Sequence, residues 1–392
     1  MTPKALERID LYRVIATFFA FVDNIRGADF QTRGLLVALD TGEPSRLGRA
    51  LVFEAIFQAA QGRKTKKRCD ELVAYAQQID GATGDPWVRI TLMALVAFRH
   101  FFAGEFAESN EQFRVAEDSY LENPFQGERF ELFTFRLFRL ISLRHIGTYP
   151  EMVRAVDEQL RDARRRSDRY TETSITRALN LRWLVTGDLD EARGVLDREA
   201  WTIPGGAYHV QHWYKLMADI ELALYQGRCA DIRGDHAQSF AGYRRSLLVR
   251  LVSIRTLHCW LEARLDLATA ATSPNTGPLL RHAEKMAKKL EREGLASTLA
   301  WASLIRATVA HLRGDEAAAV ARLHRAISGL ESARLMGYAA AARRAQGLVM
   351  GGDTGAALVD GADAWFRDRG VVDPARFARI YAPGFLPFDE PY

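Results

Sequence analysis

The feature that most constrains the fold is a recurring glycine that ends one helical pattern and precedes the next. The clear copies are Gly104-Glu105, Gly147-Thr148, Gly187-Asp188, Gly234-Asp235 and Gly314-Asp315, with looser copies at Gly62, Gly277 and Gly352. Neighbouring copies are 37 to 47 residues apart. Glycine ends helices because it enters the left-handed region at low cost, and Asp, Glu or Thr then caps the following helix. Each period of about 40 residues is predicted to be a helix, a turn and a second helix.

Apolar side chains recur at helical spacing between the glycines. Phe98, Phe101, Phe102 and Phe106 cluster on one side of a predicted turn. A wide apolar stripe over residues 130–146 is interrupted by Arg136, Arg139 and Arg144. A stripe of that width is typical of a helix that packs against neighbours on more than one side.

The period predicts an all-α protein, a right-handed α-solenoid of degenerate tetratricopeptide-like helix-turn-helix repeats. In a solenoid each repeat buries its apolar face on its neighbours and leaves an extended concave surface for partners. A set of unrelated helical bundles is the alternative. The clearest break, residues 273–278, divides the chain into repeats over 1–272 and further repeats with a C-terminal capping segment over 273–392, unless the solenoid is continuous.

Composition narrows the environment. The 392 residues are 48% hydrophobic and 26% charged, enough to bury a large core, and the net charge of +4 is too small to imply a nucleic-acid partner. Cys69, Cys229 and Cys259 are odd in number and far apart, which argues against a disulfide framework. No apolar run approaches the roughly 18 residues of a membrane span. We predict a soluble, cytoplasmic protein without membrane contact.

No catalytic motif is recognisable. The chain contains neither a G-x-x-x-x-G-K-[ST] loop nor a G-x-G-x-x-G run after a strand pattern, and the kinase signatures H-R-D and D-F-G are missing. We therefore predict no enzymatic activity, no cofactor, no metal and no catalytic residue.

The most distinctive run is Tyr208-His209-Val210-Gln211-His212-Trp213-Tyr214. His209 and His212 are three residues apart on a predicted helix and could share a metal, but such a site needs further ligands. Packing of aromatic and imidazole rings at a helix start is the plainer interpretation. If a ligand or partner site exists, the sequence places it at Tyr208, His209, His212 and Trp213.

Two basic runs, residues 63–68 and 161–169, could neutralise phosphates. Such runs are more often solvated helix faces, and Asp162 and Asp168 dilute the second. No base-reading motif accompanies them, so nucleic acid is not the predicted partner.

Three stretches resemble a known family. The first is residues 22–31, continuing to 41–44 and 49–51; the second is residues 208–212 followed by 219–227; the third is the ending, with residues 364–366, Gly370, residues 373–379 and residues 382–385. They resemble the C-terminal tetratricopeptide-like region of large bacterial signalling proteins of the myxobacterial type. Those proteins join a Ser/Thr kinase domain, a signal-transduction ATPase and a helical-repeat tail. The resemblance implies a tail that senses or recruits a partner. The kinase and ATPase parts are absent, so the chain is expected to be either a separated tail or a relative acting in trans.

Three functions follow from these observations. The first is a non-catalytic protein-interaction or sensor module that regulates a bacterial signalling kinase or ATPase through the concave face. The second is a small-molecule-sensing regulator coupled to transcription. The third, an enzyme on a helical scaffold, depends only on the His209 and His212 pair. The partner, the ligand and the oligomeric state are not readable from the sequence.

Overall fold

The computed structural model describes residues 2–123, 129–198, 208–230 and 232–385. These residues form 21 α-helices and no β-strand, so the all-α prediction is confirmed for them. None of these helices combines the length and apolar character needed to cross a membrane. The chain divides into two units. Of the described residues, unit 1 contains 2–123, 129–139, 208–210 and 242–255, and unit 2 contains 140–198, 211–230, 232–241 and 256–385.

Unit 1 is built from consecutive helices that pack as neighbours. The helices are α1 (Pro3–Val22), α2 (Asn24–Thr41), α3 (Pro44–Ala59), α4 (Lys66–Thr83), α5 (Pro86–Ala103), α6 (Phe106–Glu122) and the first part of α7 (Arg129–Ile146). Contacts join α1 to α2, α3 to α4 and α5 to α6, and α3 also contacts α5. The helices of unit 1 thus pack in adjacent pairs.

Unit 2 begins within α7. The helices after α7 lie mostly in unit 2, although the first residue of α12, the end of α14 and the start of α15 belong to unit 1. They are α8 (Tyr149–Arg165), α9 (Arg169–Ala178), α10 (Leu181–Thr186), α11 (Leu189–Asp197), α12 (Val210–Gln226), α13 (Ile232–Asp235), α14 (Ala237–Arg245), α15 (Val252–Ala270), α16 (Gly277–Glu293), α17 (Ala296–Leu312), α18 (Glu316–Ser332), α19 (Met336–Met350), α20 (Gly352–Arg367) and α21 (Pro374–Tyr381). From α16 to α20 each helix packs on the next. The predicted break near residue 273 is the connection between α15 and α16. The end of α15 and the whole of α16 lie in unit 2.

The predicted turns are confirmed at most glycines and wrong at two. A positive φ angle is present at Gly62, Gly104, Gly147, Gly187, Gly314 and Gly352. Gly234 instead lies inside α13 and Gly277 is the first residue of α16, while Gly227 (φ 71°) follows the end of α12. At Gly234 the turn lies seven residues earlier, at Gly227, and Gly277 begins a helix without ending the one before it.

Some of the predicted helix caps are present and others are not. The carboxylates of Asp188 and Asp315 accept hydrogen bonds from amides in the first turn of α11 and α18, as expected. Glu105 and Thr148 do not cap their helices. The Glu105 carboxylate contacts His100 Nδ1 at 2.6 Å, and the Thr148 hydroxyl donates to the Leu143 carbonyl at 3.4 Å.

Phenylalanine fills the centre of unit 1. Phe98 meets Phe113 and Phe138 edge-on, each with ring centroids 4.9 Å apart, and Phe101 meets Phe106 at 5.5 Å. The predicted phenylalanine cluster is thus confirmed. Offset and edge-on pairs of this kind add about 0.5–1.5 kcal/mol to the burial of the rings themselves.

The centre of unit 2 contains charges. Glu221 on α12 accepts from Arg144 on α7 and, at 3.3 Å, from Arg264 on α15, and these three side chains are 1–4% exposed. Arg144 also donates to the Ala178 carbonyl at 3.0 Å, and Arg264 donates to the Ile380 carbonyl at 2.6 Å. The network therefore joins α7, α9, α12, α15 and α21 through hydrogen bonds that non-polar side chains could not make.

Candidate functional site

Tyr208 and His209, two of the four predicted site residues, lie in unit 1 just before α12. His209 is 1% exposed. The Tyr208 ring packs on Gly242, where an added Cβ would lie 2.4 Å from Tyr208 Cδ2. Burial raises the pKa of the Tyr208 phenol. Both side chains therefore pack largely against other residues of the protein.

His212 and Trp213 lie in the first turn of α12, within unit 2. Trp213 is 1% exposed, and its Nε1 donates to His258 Nδ1 at 3.3 Å. His212 is only half-buried. Burial lowers the pKa of its imidazole, and the charge of Arg177 lowers it further. The role predicted for the four residues stays a prediction, and His212 is the member most open to a partner in unit 2.

One face of α12 carries His212, Lys215 and Asp219, all partly exposed. Residues three and four positions apart share a face of a helix, which brings the three side chains together. Lys215 Nζ lies 2.9 Å from Asp219 Oδ2, and His236 Nε2 lies 3.5 Å from the same oxygen. The Asp219 carboxylate is therefore occupied by two basic groups of the protein itself.

Arg177 on α9 faces this surface. Gln211 Nε2 donates to Ser174 Oγ at 2.8 Å, which holds the start of α12 against α9 one turn before Arg177. Arg177 is 9% exposed. Burial lowers the pKa of its guanidinium, and Asp219 opposes that shift by attraction. The guanidinium forms no ion pair or side-chain hydrogen bond with the described residues, so its charge lacks a close partner.

A second row of polar side chains lies on α15. His258, Glu262 and Asp266 follow at intervals of four and share one face. Arg233 contacts Glu262 at 3.7 Å and Asp266 more closely. His282 Nδ1 lies 2.6 Å from Asp266 Oδ2. We refer to the set as the polar strip, which consists of Arg177, His212, Lys215, Asp219, Arg233, His236, His258, Glu262, Asp266 and His282.

The described residues offer little support for nucleophilic or metal chemistry. Burial raises the pKa of the Cys229 thiol to about 12 and also raises that of Cys69. A thiol reacts as its thiolate, so neither side chain is activated at neutral pH. Among the residues that the structure describes, no group of three or more His, Cys, Asp or Glu side chains is arranged to hold a metal. The strip is suited to hydrogen bonding and charge recognition.

The two basic runs differ in their pairing. In the second run, Arg164 pairs with Glu172 and both Arg165 and Arg166 pair with Asp162. In the first, Arg63, Lys64 and Lys67 are exposed and form no ion pair within the described chain. The first run is therefore the more available to an external anion.

The sequence analysis missed the strip and the buried charges, although signals for both were present. Arg144 interrupts an apolar stripe, and Asp219 and Glu221 interrupt the apolar pattern of α12. An ionisable residue in such a pattern indicates a buried partner, because an isolated charge is costly to bury. The partners, Arg264 above all, are distant in sequence and could not be identified without the fold.

The sequence matches no model of a known protein family and has no significant match among curated proteins. The resemblance to the tails of kinase and ATPase proteins thus remains a prediction based on three short stretches. Function must be argued from the side chains of the two units.

Proposed function

We propose that this chain is a non-catalytic binding module that recognises a protein partner through the polar strip of unit 2. The observation that carries the proposal is the division of α12 into two faces. His212, Lys215 and Asp219 form a half-exposed face, whereas Glu221 lies 1% exposed in the charged core. One helix thus joins a surface able to bind with a core able to hold that surface in place.

Three properties of the strip support a role in binding a partner over a purely structural role. The strip contains charges of both signs, so a partner segment that also carries both charges would find complementary groups. Several members retain solvent contact, with side-chain exposure of 34% at Lys215 and 37% at Arg233. The buried carboxylate of Asp266 fixes Arg233 and His282, which limits the entropy that those side chains lose on binding.

The handedness and period of the fold, and the kind of partner, are part of the same proposal. A right-handed solenoid with a period near 40 residues would place the strip on an extended surface, as tetratricopeptide-like proteins do. The resemblance to signalling tails favours a Ser/Thr kinase or a signal-transduction ATPase as the partner, contacted in trans or within one longer protein.

Co-purification with a strip variant tests the proposal. The tagged chain would be expressed at native level in its own cell, and bound proteins would be identified by mass spectrometry. The strip variant combines His212→Ala, Lys215→Ala and Asp219→Asn. The control combines Lys285→Ala, Lys288→Ala and Lys289→Ala, three exposed cations on α16. We expect a stoichiometric partner that the control retains and the strip variant loses. Equal recovery with both variants would contradict the proposal.

A second candidate, a regulator coupled to nucleic acid, is favoured by one observation in unit 1. The Val252 amide donates to the Ala60 carbonyl at 2.9 Å, which joins the segment of exposed Arg250 to the one that precedes Arg63, Lys64 and Lys67, and these three form no ion pair with the described residues. The test is binding to a random-sequence DNA duplex. An affinity that falls as salt is added, and that is lost when residues 63, 64 and 67 are all replaced by Glu, would support this candidate. Glu at 285, 288 and 289 is the control of equal charge change.

A further inference from the structure

Arg177 is the most unusual charged group of unit 2. The side chain is 9% exposed, yet its guanidinium has no ion-pair partner within the described chain. Taking a cation out of water is costly unless an anion or hydrogen-bond acceptors replace the solvent. Arg144 and Arg264 meet that requirement with Glu221 and backbone carbonyls. Arg177 does not.

The neighbouring carboxylate does not supply the missing anion. Asp219 attracts Arg177 electrostatically, but its carboxylate pairs with Lys215 Nζ, at 2.9 Å from Oδ2 and 3.2 Å from Oδ1, and forms no ion pair with Arg177. No nitrogen of Arg177 is both fully buried and without a partner, so the guanidinium remains reachable from solvent. Arg177 is thus a largely buried cation that still touches solvent, and the carboxylate that attracts it pairs with Lys215 instead.

We propose that Arg177, which lies beside His212, forms a carboxylate-binding site that accepts an Asp or Glu side chain of the partner. The inference rests on the proposed function and names the group that the strip recognises. The planar guanidinium of Arg177 can donate two parallel hydrogen bonds to a carboxylate. A single negative charge suits the site better than a phosphate dianion, because the Asp219 carboxylate repels a dianion more strongly.

The anchored start of α12 explains why such a site would be specific. The Gln211–Ser174 hydrogen bond holds α9 and α12 in register, and the buried Trp213–His258 contact holds the first turn from the other side. Arg177 and His212 therefore need little reorganisation to receive a ligand. Free carboxylates in solution and carboxylates on a peptide share this chemistry, so the test must separate the two sources.

Direct binding to the full chain tests the site. The probes are end-blocked hexaglutamate, free glutarate and inorganic phosphate, each titrated at constant ionic strength. His212 is followed by NMR of labelled histidine, assigned with His212→Ala. We expect hexaglutamate to shift the His212 signal and to raise its apparent pKa, because the bound carboxylate screens Arg177. Glutarate is expected to do so more weakly, because it lacks the peptide contacts.

Two substitutions at Arg177 separate charge from geometry. Arg177→Gln should weaken hexaglutamate binding by tenfold or more. Arg177→Lys, which keeps the charge and protects the fold, should weaken it by a smaller factor. Arg193→Gln, an exposed arginine on α11, is the matched charge control and should leave the affinity unchanged.

Three results would overturn the inference: no binding of either carboxylate probe at millimolar concentration, preference for phosphate, or equal binding by Arg177→Gln and Arg177→Lys. Failure here is distinguishable from failure of the proposed function. A partner that requires Lys215 and Asp219 but tolerates Arg177→Gln would preserve the binding module and remove only the carboxylate site. Stronger binding of glutarate than of the peptide would overturn the assignment to a protein side chain.

Discussion

Each unit contains a glutamate held by two arginines, and the two groups differ in burial. In unit 1, Glu117 contacts Arg136 at 2.7 Å and Arg139 at 3.4 Å, and the arginine side chains are 28% and 21% exposed. In unit 2, Glu221 contacts Arg144 and Arg264, whose side chains are each 4% exposed. The same three residue types therefore form a surface group in one unit and a core group in the other.

The difference shows what the charged core contributes. In unit 1 the phenylalanine cluster holds the helices together, and water solvates part of the Glu117 group. In unit 2 the buried arginines bind backbone carbonyls at the ends of α9 and α21 as well as Glu221. Hydrogen bonds are directional, so the charged core fixes the orientation of α12 more strictly than apolar packing would. A fixed α12 is what a recognition surface on its other face requires.

The largest expected effect separates the two groups. Glu221→Gln leaves two buried arginines without a negative charge and should lower the free energy of unfolding by about 3–5 kcal/mol. Glu117→Gln should cost about 1 kcal/mol or less, since solvent screens its arginines. Urea denaturation of the two variants measures both. Similar losses would show that burial does not distinguish the two groups.

A smaller effect concerns pH. His145 is buried beside Tyr338, with 2.8 Å between Nδ1 and the phenol oxygen, and burial lowers its pKa well below 6.5, with further lowering by Arg144 and Arg264. Below pH 6.5 the unfolded chain binds a proton that the folded chain does not. The free energy of unfolding should therefore fall as the pH decreases, by about 2 kcal/mol between pH 7 and 5.

His145→Asn is the variant that isolates this contribution. Asparagine cannot take up the proton, so the loss between pH 7 and 5 should shrink by most of that amount. Denaturation of both proteins at the two pH values measures the difference. An unchanged pH dependence in the variant would assign the effect to other groups.

The smallest expected effect lies at the tyrosine pair next to the charged core. Tyr149 Oη donates to Tyr381 Oη at 3.1 Å, and both rings are buried. Tyr149→Phe should lower the free energy of unfolding by about 1 kcal/mol, as for a typical buried hydrogen bond. The double variant with Tyr381→Phe should lose less than the sum of the two single losses, because the hydroxyls share one bond. Additive losses would show that the bond contributes little.

Local chemistry explains how much of the fold was predictable. Helix hairpins follow from glycine, capping residues and apolar spacing, which act over a few residues, so the all-α class and the phenylalanine cluster were predicted. Gly234 and Gly277 failed because a glycine can also sit within or begin a helix. Turn chemistry at one residue does not reveal which of two nearby glycines the chain uses.

The candidate site was harder to predict. The sequence pointed to residues 208–213, and His212 does lie at the strip in unit 2. The strip itself depends on Arg177, Asp219 and His236, whose approach is set by packing between helices distant in sequence. Arg177 carried no distinguishing signal, since an arginine is unusual only when its partners are known to be missing.

The two faces of α12 have separate tasks in this molecule if Asp219→Asn and Glu221→Gln, measured side by side, impair different properties. Partner recovery and the free energy of unfolding would be determined for each. We expect Asp219→Asn to lose the partner while its free energy of unfolding stays within about 1 kcal/mol of that of the natural chain, and Glu221→Gln to lower the free energy of unfolding severalfold more. Full partner recovery with Asp219→Asn, or equal destabilisation by the two substitutions, would show that the two faces do not have separate tasks.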